Sequence, residues 1–498
     1  MKRRNTEPYV RLTQPLVRDS GVLRPATWEE ALDRAAAGIR RTLDGKGPEA
    51  FGMFSCARAT NEMNFVAQKF TRAVIGTNNV DSCNRTCHAP SVAGLARVFG
   101  SGGGTSSYQE IEDADVIVIW GGNPREAHPI FFQHVLKAVH QGAKLFVVDP
   151  RQTSTASWAH RQLQLEVGTD IPLAHAIARE IIHSGLANTT FIERATEGFA
   201  EFAASVEPWT PEVAEKTTGV PAELIRELAH TYARADRAQL SWTLGITEHH
   251  NGTDNVLALI NLALLAGQVG RYGAGLNPLR GQNNVQGGGD MGAIPDRLPG
   301  FQDVLDAGVR AKFDTAWGSS IPPHKGLNLT QMLDAMERGD LTCVYVIGEN
   351  PVQSEADCEH TIKRLANVDH LIVQDMLTEE FPIRLTTGRR LDSYNTGVQS
   401  GGFPSPLRQG ETLDLCPEDA RALGVEPDEL VQISSRRGAI VAPVRLDKGL
   451  KPGLAFMTFH FPDEVDVNVI TIEATCPIAG TAEYKAAAIR VDKLPAEV

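Results

Sequence analysis

Cys87 and His88 stand side by side where a polar, turn-rich stretch, Asn78-Asn79-Val80-Asp81-Ser82-Cys83-Asn84-Arg85-Thr86, gives way to a helical pattern through Leu95. A cysteine at a helix N-terminus is shifted toward the thiolate, the form that binds soft metals or attacks as a nucleophile. The competing reading is a small buried hydrophobe. A second polar cluster, Asn277-Pro278-Leu279-Arg280-Gly281-Gln282-Asn283-Asn284-Val285-Gln286-Gly287-Gly288-Gly289-Asp290, sets one arginine among amides and glycines. Such residues are poor helix or strand formers, so a loop is expected, either solvated at the surface or kept because it binds something. A guanidinium offers paired donors matched to a carboxylate, which makes Arg280 the expected anchor for a small acid.

The elements that would position these residues follow an α/β grammar. Thr27-Trp28-Glu29-Glu30 has the form of a capping box and opens a helical pattern through Leu32, Ala35, Ala36, Ile39 and Leu43. Residues 115–120 read as a buried parallel strand ending in Gly121-Gly122-Asn123-Pro124, followed by a helix and a strand that ends at Asp149. The pattern recurs: Cys343-Val344-Tyr345-Val346-Ile347 leads to Gly348-Glu349-Asn350-Pro351, a helix, and a strand ending at Asp375. From glycine to aspartate the spacing is 28 residues in the first unit and 27 in the second. A glycine turn at a strand's carboxyl end lets backbone N–H groups approach a phosphate, and an acid ending the next strand can accept from a sugar or base. The duplication suggests two nucleotide moieties. For either unit alone, ordinary closure of a βαβ crossover is the alternative, because the full dinucleotide fingerprint is absent.

With 498 residues, 42% hydrophobic and 22% charged, the chain fits two to four globular domains, and 45 glycines imply many tight turns or close approaches to a ligand. A net charge of −13 disfavours nucleic acid as a partner. The basic start at Lys2-Arg3-Arg4 is not followed by an apolar run, so a cytoplasmic location is expected. No stretch approaches the roughly 18 apolar residues of a membrane span. Seven scattered cysteines (56, 83, 87, 343, 358, 416 and 476) fit a reducing compartment and show no iron–sulfur or zinc spacing. After residue 380, short strands such as Leu430-Val431-Gln432-Ile433 alternate with Gly and Pro turns, as in a small β-barrel, and a helix over 417–423 stops at Gly424. The run Ser101-Gly102-Gly103-Gly104-Thr105-Ser106-Ser107 reads as a flexible surface loop without chemistry.

Over nearly its whole length the chain resembles the catalytic subunits of molybdopterin-dependent formate dehydrogenases. The resemblance rests on Cys87-His88-Ala89-Pro90-Ser91-Val92-Ala93-Gly94-Leu95 and on the Arg-Gly-Gln-Asn-Asn-Val-Gln-Gly string from Arg280. The related nitrate reductases differ at both places. The resemblance implies a molybdenum or tungsten centre held by two molybdopterin guanine dinucleotides, with Cys87 as metal ligand, Arg280 pairing with formate and His88 as proton acceptor or hydrogen-bonding partner. It implies cofactor contacts from Gly121, Asn123, Asp149, Gly348, Asn350 and Asp375, which agrees with the twin βαβ units read independently. Thr387 and Arg389 join them on resemblance alone. Gln282 and Asn283 would position the loop or touch pterin, and Tyr484 and Lys485 would cover it. The implied reaction is oxidation of formate to carbon dioxide, two electrons passing to the metal and the hydrogen leaving as hydride or as a proton, a choice the residues leave open. The expected fold is two Rossmann-like αβα domains related by a pseudo-twofold duplication, 1–82 with 283–380 and 83–282, plus a C-terminal β-barrel over 381–498.

Two pieces of the family pattern are missing. The family's four-cysteine iron–sulfur segment has no counterpart, so a separate iron–sulfur electron-transfer partner is expected. At Thr378-Glu379-Glu380-Phe381-Pro382 the second unit runs almost directly into the C-terminal part, where the family carries a long stretch, and its loss should expose core surface. Two alternatives follow: a formylmethanofuran dehydrogenase-like enzyme, and a non-catalytic, truncated cofactor-binding or assembly protein.

Overall fold

A computed structural model describes residues 11–375, 410–458, 461 and 465–494. Two parallel sheets dominate. In the larger, Val116–Trp120 lies between Lys144–Val148 and Ala238–Trp242, with Arg161–Leu163 and Gly275–Pro278 outermost. Side chains alternate across a strand, so Val116, Val118 and Trp120 pack with Leu173, Ile177, Ile225 and Leu259 on one face, while Ile117 and Ile119 meet Phe131, Phe132 and Val135 on the other. Apolar residues at every position of Val116–Trp120 are what a sheet covered by helices on both faces requires.

The smaller sheet joins distant parts of the chain. Phe51–Ser55 pairs with Val80–Ser82 on one side and Cys343–Ile347 on the other, and His370–Gln374 forms the outer edge. Phe54, Val344 and Val346 pack on Leu329, Met332 and Met336, and Phe51, Met53 and Cys343 face Ala67 and Ile75. In both sheets chain order reverses direction between the two central strands, Val116–Trp120 and Ala238–Trp242 in one, Phe51–Ser55 and Cys343–Ile347 in the other. Such switch points are where open α/β sheets bind ligands, beyond the strands' carboxyl ends.

Trp28–Lys46 is a helix with Thr27 capping the Glu30 amide, and its expected face is shifted. Ile39 and Leu43 pack on the smaller sheet as expected, but Gly38 and Thr42 are buried and Leu32 is exposed, and the His370 ring stands where a Cβ at Gly38 would be. The amide-rich loop is also partly wrong as an expectation: Val285–Asp290 forms a short helix. Its Gly287 leaves room for Asn61 and Asn284, whose side-chain oxygens would both lie 2.2 Å from a Cβ there.

Beyond residue 410 a mixed four-stranded sheet runs Leu413–Leu415, Ala439–Leu446, Leu430–Ser434, Arg490–Lys493. The helix Pro417–Leu423 ends at left-handed Gly424, as its sequence predicts. This region docks on both α/β units: the Gln152 amide donates to Gly449 O at 3.0 Å, and Asn468 Nδ2 to Glu355 O at 3.1 Å. No helix among the described residues is long and apolar enough to cross a membrane.

Candidate active site

Cys87 lies two residues ahead of the helix Ala89–Phe99, buried, with its amide donating to Asn84 O at 3.2 Å. His88 joins this segment to the distant arginine loop, for its Nε2 is 2.8 Å from Leu279 O and its Nδ1 is 2.9 Å from Ser91 Oγ. A carbonyl only accepts, so Nε2 carries the proton. Trp242 Nε1 donates to the same Ser91 oxygen at 2.9 Å, which leaves the serine proton for His88 Nδ1. The bridge through Leu279 brings Arg280 beside Cys87. Arg280 Nη2 donates to Gly102 O at 2.8 Å, and His128 Nε2 sits 2.6 Å from the Arg280 carbonyl. Burial pulls the guanidinium below its usual pKa, against the opposing pull of Cys87, Tyr108 and Asp290. A partly desolvated cation with no carboxylate bonded to it among the described residues attracts a small anion.

The loop 101–107 is thus more than surface. The Thr105 amide donates to Leu276 O at 2.9 Å, which places Gly102 O under the arginine. Its glycines were legible, but the distant strand they brace was not.

The two glycine turns sit at the two switch points. Gly121 and Gly348 have φ of 60° and 55°, conformations that favour glycine. Gly121 packs against a third turn that sequence reasoning missed, at Gly245: the Gly245 amide donates to Gly121 O at 3.0 Å, and a Cβ on Gly121 would lie 2.8 Å from the Gly245 carbonyl carbon. Gly348 occupies the same place in the smaller sheet, with Cys56 Sγ 3.0 Å from its carbonyl oxygen. Asp149 and Asp375 follow the neighbouring strands. Burial raises Asp149 to a pKa of about 6, opposed by the Arg151 amide that donates to it at 2.9 Å.

The two asparagines differ. Asn123 Oδ1 accepts from Ser154 Oγ, the Thr155 amide and Thr155 Oγ1, so it braces its own loop. Asn350 Oδ1, Asn84 Oδ1, Gln282 Oε1 and both carboxyl oxygens of Glu349 are buried with no hydrogen-bond partner among the described residues. Burial pushes the Glu349 carboxyl well above its usual range, with Glu355 and Asp81 adding to the push and Arg58 opposing it. An unsatisfied buried acceptor costs about 1–3 kcal/mol. Several together fit a ligand whose edges carry N–H donors, as pterin and guanine rings do. Glu349 and Asn84 are therefore candidates that the motif pattern did not single out.

Tyr484 and Lys485 bridge the two units. The Tyr484 hydroxyl donates to Ser354 O at 3.0 Å, its amide donates to Glu248 O at 3.2 Å, and Lys485 Nζ lies 2.8 Å from Glu248 Oε2. Thr387 and Arg389 lie outside the described residues.

Residues 11–380 match the molybdopterin oxidoreductase family, and 383–488 match the molydopterin dinucleotide binding domain. The chain belongs to the molybdopterin oxidoreductase family. Within it, the chain is 33% identical to the F420-dependent formate dehydrogenase 1 subunit alpha of Methanococcus maripaludis, covering 97% of this chain and 91% of that one. It is 42% identical to formate dehydrogenase H of Escherichia coli over 74% of this chain and 52% of that one. The fold is that of acetylene hydratase from Pelobacter acetylenicus, with a TM-score of 0.74 at 15% identity over 97% of this chain and 92% of that one. The alignment with the Methanococcus relative spans 624 positions, more than the 498 residues here, so the relative carries residues with no counterpart in this chain.

Proposed function

We propose that this chain is a formate dehydrogenase catalytic subunit, oxidising formate to carbon dioxide at a molybdenum or tungsten centre held by two molybdopterin guanine dinucleotides. The observation that carries the reading is the half-buried Arg280 guanidinium, braced by Gly102 O beside Cys87. Arg280 pairs with the formate carboxylate and turns its C–H bond toward the Cys87 side, a proximity and electrostatic role. Cys87 holds the metal as thiolate. The bound centre supplies the two-electron acceptor. His88, with its Nε2 proton donated to Leu279 O, fits the hydrogen-bonding role better than that of proton acceptor. Gly121, Asp149, Gly348, Asn350, Asp375 and Gln282 contact the dinucleotides, with Thr387 and Arg389. Asn123 shapes its turn, Asn283 positions the loop, and Tyr484 and Lys485 cover the pterin.

The finer architecture belongs to the same proposal: two αβα domains, 1–82 with 283–380 and 83–282, related by a pseudo-twofold, and a C-terminal barrel over 381–498. The matching strand orders and glycine turns support it. An iron–sulfur partner would carry the electrons away. A cytoplasmic location is supported by seven cysteines of which none forms a disulfide.

The test is formate-dependent reduction of an artificial dye by the metal-loaded chain and by Arg280→Ala. The expected loss is at least about 100-fold in kcat/KM with metal and pterin content unchanged. Equal rates in the two proteins would sink the formate site, and metal bound with no reduction in either would favour the non-catalytic alternative.

A further inference from the structure

His249 is buried, at 3% exposure, between two groups that can only accept. Its Nδ1 is 3.1 Å from Glu483 Oε2 and its Nε2 is 3.1 Å from Gly245 O. A neutral imidazole carries one N–H, so in that form a lone pair would face a carbonyl or a carboxylate. With Glu483 ionised, only the imidazolium satisfies both contacts. Gly245 is the turn packed on Gly121, and Glu483 is the residue that shapes the C-terminal segment, accepting the Lys485 and Ala486 amides on Oε1 at 3.0 and 3.1 Å. The histidine therefore stands between the switch point of the larger sheet and the segment that carries Tyr484 and Lys485.

We propose that His249 is a positioning residue that works as an imidazolium, locking residues 483–486 onto the Gly245 turn and so fixing where Tyr484 and Lys485 stand. The surrounding charges agree. Glu483 and Lys485 face it from the C-terminal segment and Asp170 from the start of its helix, while Glu248 and His250 flank it on its own turn. Burial works against the His249 charge, but the hydrogen bond and charge of Glu483, with Asp170, raise its pKa above 6.5. Burial likewise pushes Glu483 up, but its bonds to His249 and His250 hold it below its ordinary value, so it stays ionised. A folded pKa above the unfolded one means that the lock is complete below the unfolded value and is lost as pH rises through the folded one. The lock itself does not depend on what fills the cleft, whereas its effect on the cofactor rests on the reading of Tyr484 and Lys485 above.

The experiment is hydrogen exchange of the full cofactor-loaded chain across a pH series, reading protection factors for the Lys485 and Ala486 amides. Protection is expected to fall on the order of tenfold or more as pH rises through the His249 titration, the loss of one charge-assisted hydrogen bond. His249→Gln, with a single donor face, should give low protection that does not vary with pH, while His250→Gln, which removes only the exposed 3.3 Å contact to the same carboxylate and leaves the His250 amide bond in place, should keep a pH-dependent fall in protection. A flat wild-type profile, or His249→Gln titrating like the wild type, overturns the proposal, and the wild-type series needs no variant to fold. Pterin retained after gel filtration is expected to follow the same curve. A lock that titrates with no change in retention would uphold the His249 role and overturn the cofactor reading of Tyr484 and Lys485.

Discussion

At the end of Val116–Trp120 the Gly121 amide donates to Val148 O, and at the end of Cys343–Ile347 the Gly348 amide donates to Gln374 O, each at 2.8 Å. Each accepting residue immediately precedes the aspartate that ends its unit. In both, an asparagine then precedes a one-turn helix opened by proline. Past that point the units part. The first closes on itself, with Asn123 saturated by Ser154 and Thr155 and Gly121 pressed against Gly245. The second presents Glu349 and Asn350 with unsatisfied oxygens, and Gly348 meets only the Cys56 side chain. Similar backbone geometry thus serves one turn whose asparagine is held by its own loop and one whose polar oxygens are left open.

The sharpest way to break this comparison is an alanine at each leading glycine. Gly121→Ala combines a left-handed φ with a 2.8 Å clash on backbone and should cost about 4 kcal/mol, against about 2 kcal/mol for Gly348→Ala, whose neighbour is a side chain that can turn. Equal shifts in denaturant midpoint would mean that the Gly245 contact is unimportant. Asp149 offers a pH test. Its folded pKa of about 6 lies above the ordinary 3.8, so its buried charge destabilises the ligand-free protein above both values, by about 3 kcal/mol, and the penalty vanishes as pH falls below 4. Asp149→Asn should therefore stabilise at neutral pH, and a gain that persists unchanged in acid would contradict the assignment. The smallest effect is expected from the asparagines. Asn123→Ala should cost about 2 kcal/mol through the hydrogen bonds it abandons, while Asn350→Ala, which removes an unsatisfied buried acceptor, should be neutral or stabilising by up to about 1 kcal/mol in the ligand-free protein, a difference that thermal melting resolves.

Much of this was legible because it is local. Continuous apolar runs fix Val116–Trp120 and Cys343–Ile347 as buried parallel strands, and a glycine followed by Asn-Pro marks the turn that ends each. Cys87, His88 and Arg280 stood out by residue type, and the structure brings them together through Leu279. What stayed hidden depends on contacts between residues far apart in sequence. Nothing near Gly245 says that Gly121 will rest on it, and nothing near Gly102 says that its carbonyl will hold Arg280. The shifted face of Trp28–Lys46 has the same origin, since Gly38 is packed against His370, which is remote in sequence. His249 and Glu483 could not have been paired by any spacing rule across 234 residues.

The smaller sheet pairs Phe51–Phe54 with Cys343–Val346, and the whole larger sheet lies between them in sequence. During synthesis the five strands of the larger sheet emerge and can fold while Phe51–Ser55 still lacks its central neighbour. Closing so long a loop is slow and comes late. The turn that carries Glu349 and Asn350 therefore has no sheet to stand on until Cys343–Ile347 pairs with Phe51–Ser55, so a cofactor held there can enter only after about 70% of the chain has been translated, and a nascent chain stalled earlier should bind no pterin at that unit.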